Sequence, residues 1–567
     1  MICRLFVVPS KSFFRSRPNA LRWLACGILI WVFLWNAAQF YLPGKGFTFL
    51  IEFGEREHAR YLPELRAINH DELPNSSGYD SQYYAQIAMR PRLGDPVLAK
   101  AVDSLPYRAR RILFCWTAWA IAAGHPVLAL NVYAVQNIAC WVLLALLLLR
   151  WLPPTTWGNV GRWSGVLFSF GMAHSVRGAL TDGPSLLLIA SGIALLEKGR
   201  PWLGSVVLGV AGLGRETNVL AGSTLEWPSG RDVGSWARTA VRAALVILPL
   251  AFWLLCLRLW LGRAGDVGAR NITLPFAGLL RKCNDTLAQL WVDGWPVPAS
   301  SVSKFDVLVL IGLIAQFLFF ALRPRWRDRW WRMGAAYAVL MVVLGDAVWE
   351  GYPSAAARVL LPMTLAFNLL VPRGRAWIWV ILAGNLGVVG SFDVLKPPGR
   401  DGFQVSGPRA LRVEAGDGRT VEAVYLPGNW YPPVEKSRLE YWFWSKGTAS
   451  IAIRNPHPYP VLADISLGVR SNDARSAGLT VDGRALWRGM LVPGVTSPVD
   501  LPGTVLSPGV TLLRFDSDRA ASYRGSGDMR PLAFSVRNLK IVLKGRVERT
   551  APPTAVQKPV TDSSLRR

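Results

Sequence analysis

Residues 78–88 place a single carboxylate at the start of an aromatic segment, Gly-Tyr-Asp-Ser-Gln-Tyr-Tyr-Ala-Gln-Ile-Ala. In a helix, Tyr79, Tyr83 and Tyr84 would share one face, because residues three to five positions apart lie close together. Asp80 would then stand at the N-terminal end, where the helix dipole favours the ionised carboxylate that a general base needs. The alternative is an ordinary acidic N-cap on an aromatic helix at the membrane surface.

A second candidate is the basic segment at residues 107–111, which has arginines at 108, 110 and 111. It closes a long stretch of mixed charge, where the positive-inside rule does not place a basic cluster. Guanidinium groups pair bidentately with phosphate oxygens, so Arg108 and Arg111 are candidates for binding a phosphate. Snorkelling toward lipid headgroups is the alternative explanation.

Further ionisable residues fall at the ends of apolar segments, where charged groups are costly and are functional candidates by default. They form three groups in the sequence: His174, Arg177 and Asp182; Arg215 and Glu216; and Asp346, Glu350 and Arg358. For the second group the alternative is a mutually neutralising pair of adjacent residues.

These residue types are chemically complementary. A carboxylate can accept the proton of an attacking hydroxyl, arginines can stabilise a departing phosphate, and aromatic rings suit sugars or an isoprenoid chain. Transfer of a sugar from a lipid phosphate needs this combination of groups.

The composition indicates that a membrane protein holds these residues. Of the 567 residues, 51% are hydrophobic and 18% are charged, whereas a soluble domain has about a quarter charged residues. The net charge of +26 would suggest a nucleic-acid partner for a soluble chain. Here the basic residues mostly lie in short runs between apolar segments, which is typical of cytoplasmic loops, so we expect no nucleic-acid partner.

The basic runs also predict the topology. Five arginines between residues 323 and 332, against the single acidic Asp328, assign that loop to the cytoplasm, and the basic residues before the first apolar run assign residues 1–20 to the same side. The apolar segments between such markers predict about eleven spans, near residues 21–42, 126–150, 162–176, 183–196, 202–214, 216–229, 240–261, 305–322, 333–350, 357–372 and 376–391. We call residues 43–110 the first loop and expect it to be external. An odd number of spans returns the chain to the outside.

The hydropathy pattern of the chain changes after residue 391. Short alternating stretches such as Ser-Ile-Ala-Ile at 450–453 predict an extracytoplasmic, antiparallel β-sandwich over residues 392–546, followed by a disordered tail at 547–567. Tryptophan and tyrosine side chains at 430, 431, 442 and 444 could form a sugar-stacking surface, but alternation and the usual burial of large aromatics favour a core role.

The motifs, in their order along residues 20–390, resemble polytopic bacterial members of the GT-C glycosyltransferase superfamily. The motifs are Gly-Tyr-Asp-x-Gln-x-Tyr-x-x-Ile-Ala at 78–88, Tyr-Arg-x-x-Arg-Ile-Leu at 107–113, Asp182 before a Leu-rich helix, Arg-Glu-Thr at 215–217 and Arg-x-Leu-Leu-Pro at 358–362. The Tyr-Asp-Ser of residues 79–81 is also similar to the corresponding loop of GPI mannosyltransferases. Family members often read Asp-Gly-Gln where this chain reads Asp-Ser-Gln.

The resemblance implies an inverting hexosyltransferase with a polyprenyl-phosphate sugar donor and with Asp80 as catalytic base. It also implies a GT-C-like helical domain over 21–391, and the C-terminal aromatic motifs resemble the jelly-roll-like appendages of some such proteins. We assign Arg108, Arg111 and Arg215 to the donor phosphate. The residues assigned to substrate binding are Tyr79, Gln82, Tyr83, Tyr84, His174, Arg177, Asp182, Glu216 and Arg358.

The predicted function is sugar transfer to a lipid or glycan acceptor at the outer face of the inner (plasma) membrane, with membrane lipids as further partners. No cofactor and no metal ligands are assigned, although Asp71, Glu72 and Asp80 are close enough in sequence to leave a divalent metal open. A polymerase or ligase of lipid-linked glycans remains an alternative. So does a transporter or flippase, which would be expected to have charged residues near mid-span and repeat symmetry.

Overall fold

A computed structural model of the chain describes residues 17–42, 44–73, 76–228, 232–262, 268–293, 302–350, 355–397, 403–407, 410–415, 418–426, 428–431, 435–436, 441–523 and 530–546. The chain divides into two compact units, Met1–Pro398 and Gly399–Arg567. The sequence-based boundary was residue 391. The predicted tail at 547–567 lies outside the described residues.

The first unit is helical. Its α-helices are α1 Arg17–Ala38, α2 Pro63–Arg66, α3 Ser81–Met89, α4 Pro96–Ala101, α5 Leu105–Arg108, α6 Leu113–Ile121, α7 Pro126–Leu148, α8 Trp157–Leu167, α9 Phe170–Arg177, α10 Asp182–Glu197, α11 Pro201–Gly214, α12 Val233–Leu261, α13 Ala277–Asp293, α14 Val302–Leu322, α15 Arg329–Val343, α16 Asp346–Glu350, α17 Ala355–Val359, α18 Leu361–Leu370, α19 Ile378–Gly384 and α20 Val388–Val394. Short 3-10 helices cover Thr48–Leu50, Glu55–Arg60, Ala109–Arg111, Glu216–Thr224, Ala269–Asn271 and Arg375–Trp377. Thr156, Asp232 and Asp328 cap α8, α12 and α15 through their side chains, as expected of short polar residues at helix starts.

Several of these helices are long and apolar enough to cross a membrane. Among the described residues they are Ala20–Ala38, Pro126–Leu148, Val233–Leu261, Phe305–Leu322 and Arg375–Val394. The chain bends by 119° between α9 and α10, and a sixth span results if these two helices count as one. Helices α11 and α18 are apolar but have only 14 and 10 residues, fewer than the ~20 needed for a straight crossing. The chain is a membrane protein, and the count of eleven spans stays a prediction.

Two of the predicted spans differ from the structure. Residues 216–229 contain the 3-10 helix Glu216–Thr224 of nine residues, which reaches about 18 Å at ~2 Å per residue and is too short for a hydrocarbon core of ~30 Å. The predicted span there is therefore wrong. The span expected at 333–350 is broken after Val343, because Leu344 is extended and forms a β-bridge with Ile272.

The first loop is folded around a buried helix. Strand β1 (Phe53–Gly54) pairs in parallel with β2 (Glu72–Leu73), and α3 packs against α6 and α7. Eight of the nine residues of α3 are buried, and Tyr83 is half-buried. The helix expected within residues 78–88 is therefore present from Ser81 onward, and it is almost entirely buried in the protein. Asp80 directly precedes this buried helix.

The second unit consists of antiparallel strands. They are β3 Phe403–Gly407, β4 Ala410–Glu414, β5 Thr420–Tyr425, β6 Glu435–Lys436, β7 Tyr441–Trp444, β8 Ala449–Asn455, β9 Val461–Ser471, β10 Arg475–Val481, β11 Arg484–Leu491, β12 Thr496–Leu506, β13 Gly509–Ser517 and β14 Phe534–Arg546. One sheet has the order β11-β10-β13-β8-β5-β4-β3 and the other β12-β9-β14-β7-β6. Burial alternates along β5, and apolar residues of both sheets, such as Ile451 and Ile465, belong to one core. The jelly-roll topology stays a prediction.

The aromatic residues of this unit divide between core and surface. Trp430 is fully buried, and its indole N–H donates to the carbonyl of Ser450 at 2.8 Å. Trp444 is 6% exposed. The half-buried ring of Trp442 is covered by the guanidinium of Arg537 at 4.4 Å from the ring centroid. A sugar-stacking surface that uses the faces of all three tryptophans is therefore not formed.

We expect Trp430→Ala to destabilise the second unit by about 3–5 kcal/mol, because it empties a fully buried ring site. Trp442→Ala, at a half-buried position, should cost clearly less. Hydrogen exchange of peptides from residues 441–523 in the full-length protein would measure both. Equal protection in wild-type and Trp430→Ala protein would contradict the core assignment.

Candidate active site

The charged candidates of the helical unit come together in three ion-pair groups. They are Asp80 and Asp103 with Arg108; Asp182 with Arg215 and Arg358; and Glu216 with Arg111. Four carboxylates thus pair with four arginines, so the formal charges of the network cancel. Tyr79 and Tyr84, from the segment that carries Asp80, accept hydrogen bonds from Arg358 and Arg111 at 2.7 and 3.1 Å. They connect the start of α3 to the other two groups.

Asp80 does not act as a helix cap. It occupies the N-cap position of α3 with helical backbone angles (φ −50°, ψ −37°), and its side chain makes no capping hydrogen bond. The acidic-cap interpretation is therefore wrong. Its Oδ1 lies 2.9 Å from Nη1 of Arg108, and 34% of its side chain is exposed. The backbone is held in place because Tyr79 N–H donates to the carbonyl of Glu52 at 3.0 Å and the Ser81 hydroxyl donates to that of Ile51.

Arg108 holds two carboxylates at once. Its Nε and Nη2 donate to Asp103 at 2.9 and 2.7 Å, which leaves Nη1 for Asp80. The guanidinium also lies over the ring of Tyr83 at 4.9 Å. Arg108 was predicted to bind the donor phosphate, but in this structure its guanidinium binds two carboxylates. One of these contacts positions Asp80.

The sequence analysis missed Asp103. An acidic residue shortly before a Pro-containing helix start is a capping signal, and Asp103 stands just ahead of α5 with Pro106 in its first turn. Its Oδ1 accepts from the N–H of Ser104 at 2.7 Å. The helical turn of α5 then places the Arg108 side chain next to the same carboxylate. The sequence spacing alone does not predict this contact.

Asp182 is a buried carboxylate between two arginines. Its side chain is 1% exposed, Arg215 forms an ion pair with Oδ1, and Nη1 of Arg358 lies 3.2 Å from Oδ2. A buried carboxylate without a partner would be strongly destabilising. The two arginines therefore supply the opposite charge that a buried carboxylate needs.

The position of Asp182 follows from the break between α9 and α10. Ala179 has a positive φ of 44°, and the amide of Asn137 donates to the carbonyl of Leu180 at 2.8 Å. The hydroxyl of Ser175 accepts from the N–H of Gly183 at 2.7 Å. These contacts fix the turn, so that Asp182 opens α10 at the positive end of its dipole.

Arg215 and Glu216 are adjacent in sequence but have different partners. Arg215 has extended backbone angles (φ −159°, ψ 134°) between α11 and the following 3-10 helix. Successive side chains of an extended chain point in opposite directions. Arg215 accordingly binds Asp182, and Glu216 accepts from Nε of Arg111 at 2.9 Å. The interpretation of a mutually neutralising pair is therefore wrong.

Gln82, predicted to bind substrate, supports the loop instead. It is 1% exposed, and its Oε1 accepts from the N–H of Gly54 at 3.2 Å and lies 2.8 Å from the Tyr61 hydroxyl. Its Nε2 donates to the carbonyl of Ser77 at 2.7 Å. These bonds tie β1 to α3 and occupy both polar atoms of the side-chain amide.

His174 and Arg177 also lie apart from the ion-pair network. His174 is 1% exposed and meets the ring of Phe170 edge-on at 4.5 Å. Arg177 pairs with Glu52 at 3.1 Å and lies over the ring of Phe49 at 4.2 Å. Both were predicted to contact substrate; the structure gives them packing and loop-anchoring contacts.

The third sequence group is divided. Asp346 pairs with Arg281, whereas Arg358 joins Asp182. The side chain of Glu350 lies outside the described residues. Of the two side chains of this group that the structure describes, that of Arg358 belongs to the candidate site and that of Asp346 does not.

The carboxylates considered for a metal next to Asp80 are separated from it. Asp71 pairs with Lys45 at 3.1 Å, and Glu72 contacts His58 and His70 at 2.6 and 2.8 Å. Among the described residues, the group with metal-ligand spacing consists of these two histidines and Glu72. Asp80 is not part of it.

The arginines control the ionisation of Asp80. Burial raises the pKa of its carboxyl group, but the charges of Arg108, Arg358 and Arg111 outweigh that effect and hold the pKa below its usual range. Asp80 is therefore a carboxylate at neutral pH, in the form that can accept a proton.

Comparison with known proteins finds distant similarity to solved structures. No family model and no curated protein matches the chain. The chain is similar to the cryo-EM structure of arabinosyltransferase EmbB from Mycobacterium smegmatis, with a TM-score of 0.28 and 9% identity over 95% of this chain and 66% of that one. The chain thus spans about two thirds of the length of that protein. At this level the likeness says nothing about the reaction.

We expect Arg108→Gln to raise the pKa of Asp80, because burial then meets less opposing positive charge. Carbodiimide labelling, which modifies protonated carboxyl groups, should extend to higher pH at Asp80 in this variant, as read by peptide mass spectrometry. Arg110→Gln is the matched control, because the guanidinium of Arg110 stacks on Tyr107 at 5.3 Å, whereas the main charges that lower this pKa are those of Arg108, Arg358 and Arg111. An unchanged labelling profile in Arg108→Gln would contradict the electrostatic assignment.

Proposed function

We propose that the protein is a membrane glycosyltransferase that moves a sugar from a polyprenyl-phosphate donor to a hydroxyl group of a lipid or glycan acceptor. The reaction takes place at the extracytoplasmic face of the plasma membrane. The observation that carries the proposal is the state of Asp80: it is ionised, 34% exposed and paired through Oδ1 alone within the described part of the chain. Oδ2 is left to accept a proton.

The other carboxylates of the site are less suited to be the base. Asp182 is 1% exposed and lies between two arginines. Asp103 receives two bonds from Arg108 and one from a backbone N–H. Glu216 is held by Arg111 at the start of a 3-10 helix. Their partners make them counter-charges for the arginines.

In the proposed reaction, Oδ2 of Asp80 takes the proton of the acceptor hydroxyl as its oxygen bonds to the anomeric carbon. The bond from that carbon to the phosphate oxygen breaks, and the polyprenyl phosphate leaves with one more negative charge than it had as a phosphodiester. Attack from the face opposite the leaving group inverts the anomeric centre. The proton and the new charge therefore appear on different groups of the same site.

The charge balance of the network matches this change. Four arginines and four carboxylates cancel before the reaction, and protonation of Asp80 gives the site a net charge of +1 at the moment when the phosphate gains a negative charge. Arg111 has a donor, Nη2, that is not used by Glu216 or Tyr84. Stabilisation of developing charge by positioned donors is a major source of rate enhancement. We therefore assign the phosphate to Arg111, Arg215 and Arg358, with Arg108 as a positioning residue.

Asp80→Asn should lower the rate of sugar transfer by a factor of about 10²–10⁴, the usual contribution of a positioned base. The assay is incorporation of labelled sugar from a polyprenyl-phosphate donor by purified protein in detergent or nanodiscs. Asp95→Asn is the matched control, because Asp95 lies in the same loop and caps α4 away from the network.

Near-normal transfer by folded Asp80→Asn protein would contradict the base assignment. Transfer only from lipid-diphosphate oligosaccharides would instead indicate a ligase or polymerase of lipid-linked glycans. Lipid movement without any covalent transfer would indicate a flippase.

A further inference from the structure

Three potential metal ligands meet in the first loop, in a group separate from the candidate active site. His58 lies in the 3-10 helix Glu55–Arg60, Glu72 opens β2, and His70 precedes it by two residues. Their ligand atoms all lie within 4.8 Å of one another. His58 Nδ1 and His70 Nε2 are 2.6 and 2.8 Å from the same oxygen, Oε1 of Glu72.

The hydrogen bonds of His70 require a positive centre in this group. Its Nδ1 lies 2.7 Å from the carbonyl oxygen of Ile68, and a carbonyl only accepts, so Nδ1 carries a hydrogen. In a neutral ring, Nε2 then presents a lone pair to the carboxylate of Glu72, which is also an acceptor. Two acceptors at 2.8 Å need a proton or a metal ion between them.

The surroundings favour a metal ion. Histidines that bind metals usually donate their other ring N–H to a carbonyl or carboxylate, which fixes the tautomer, and His70 does this with Ile68. The His70 side chain is 4% exposed and meets the ring of Phe53 edge-on at 5.0 Å. The side chains of Glu72 and His58 are 21% and 48% exposed. His70 is therefore a buried ligand whose orientation is already fixed, and the exposed parts of Glu72 and His58 let an ion enter from solvent.

We propose that His58, His70 and Glu72 bind a divalent transition-metal ion, with zinc as the preferred ion. Imidazole nitrogen selects zinc and its neighbours over magnesium and calcium, which prefer oxygen ligands. Three protein ligands leave the fourth tetrahedral position for water. At zinc–ligand bonds of ~2.0–2.1 Å the ligand atoms stand roughly 3.3 Å apart. The Glu72 oxygen therefore has to move away from both nitrogens when the ion enters, and ligand atoms near the 4.8 Å limit have to move closer to each other.

The bound ion would stabilise the support of the candidate active site. The Tyr61 ring lies 5.9 and 6.0 Å from the rings of His58 and His70, and its hydroxyl lies 2.6 Å from the carbonyl of Gly54 and 2.8 Å from Oε1 of Gln82. Gln82 belongs to α3, whose start carries Asp80. The ion would link the 3-10 helix Glu55–Arg60 to strand β2, next to the Tyr61 and Gln82 contacts, and would take no part in bond making.

The test uses the full-length protein in nanodiscs, stripped with a chelator and titrated with Zn²⁺ alone. We expect about one zinc per chain in wild-type protein, and binding weakened about ten-fold or more in His58→Ala, because even outer-shell changes cost 10–100-fold. His125→Ala, at an exposed histidine outside the group, is the matched control and should bind like wild type. X-ray absorption of the zinc-loaded protein should give nitrogen ligands at ~2.0–2.1 Å.

Glu72→Gln keeps the size and most contacts of the side chain but removes the anionic ligand, so it tests the site even if His58→Ala folds poorly. Zinc should raise the unfolding temperature of wild-type and His125→Ala protein and leave that of Glu72→Gln unchanged. Absence of zinc binding in wild-type protein, or equal binding in all variants, would overturn the proposal. None of these measurements depends on sugar transfer, so they stand or fall independently of the proposed function.

Discussion

The candidate site depends on the pairing of buried arginines with carboxylates. Removing either partner of a buried ion pair leaves an uncompensated charge, which is far more costly than the pair itself is stabilising. Asp182, at 1% side-chain exposure, can be ionised only because Arg215 and Arg358 both contact it. The same constraint joins parts of the chain that are distant in sequence, since Arg358 lies 176 residues from Asp182.

The pairing also explains why the backbone is irregular at the site. A continuous helix through residues 170–197 would not present Asp182 at a helix start, and a continuous helix through residues 201–224 would not direct Arg215 and Glu216 to opposite sides. The positive φ of Ala179 and the extended angles of Arg215 provide these changes of direction. Irregular backbone is tolerated at membrane depth only where the protein itself satisfies the freed polar groups. Asn137 and Ser175 do so at the first break.

Sequence reasoning predicted the site where charge type and helix position were enough. Asp182 and Arg358 stand at ends of apolar segments, where charged groups are costly, and Asp80 stands at the start of the aromatic segment of residues 78–88. It did not predict which charges pair, because pairing depends on the direction of single side chains. Arg215 and Glu216 are the clearest example. The burial of α3 was missed for a related reason: an aromatic face is the same in sequence whether lipid or protein covers it.

The prediction was weakest where a polar side chain supports the backbone. Gln82 belongs to the motif of residues 78–88, and nothing in its spacing distinguishes a ligand contact from a bond to Gly54. Asp103 was missed for the opposite reason, since it lies outside every motif. The span count also exceeded the helices of sufficient length, because apolar composition persists through short and broken helices such as α11 and α18.

If the protein has the proposed function, the arginines that lower the pKa of Asp80 also make it a weaker base, and binding of the donor offsets this effect. A carboxylate held below its usual pKa is fully ionised but is a weak base, because proton-transfer efficiency follows basicity. An anionic phosphate that binds to Arg111 and Arg358 offsets part of their charge, and both of these charges act on Asp80. The donor would therefore raise the basicity of Asp80 on binding. The arginines would then bind the leaving group and make the strength of the base depend on the presence of the donor.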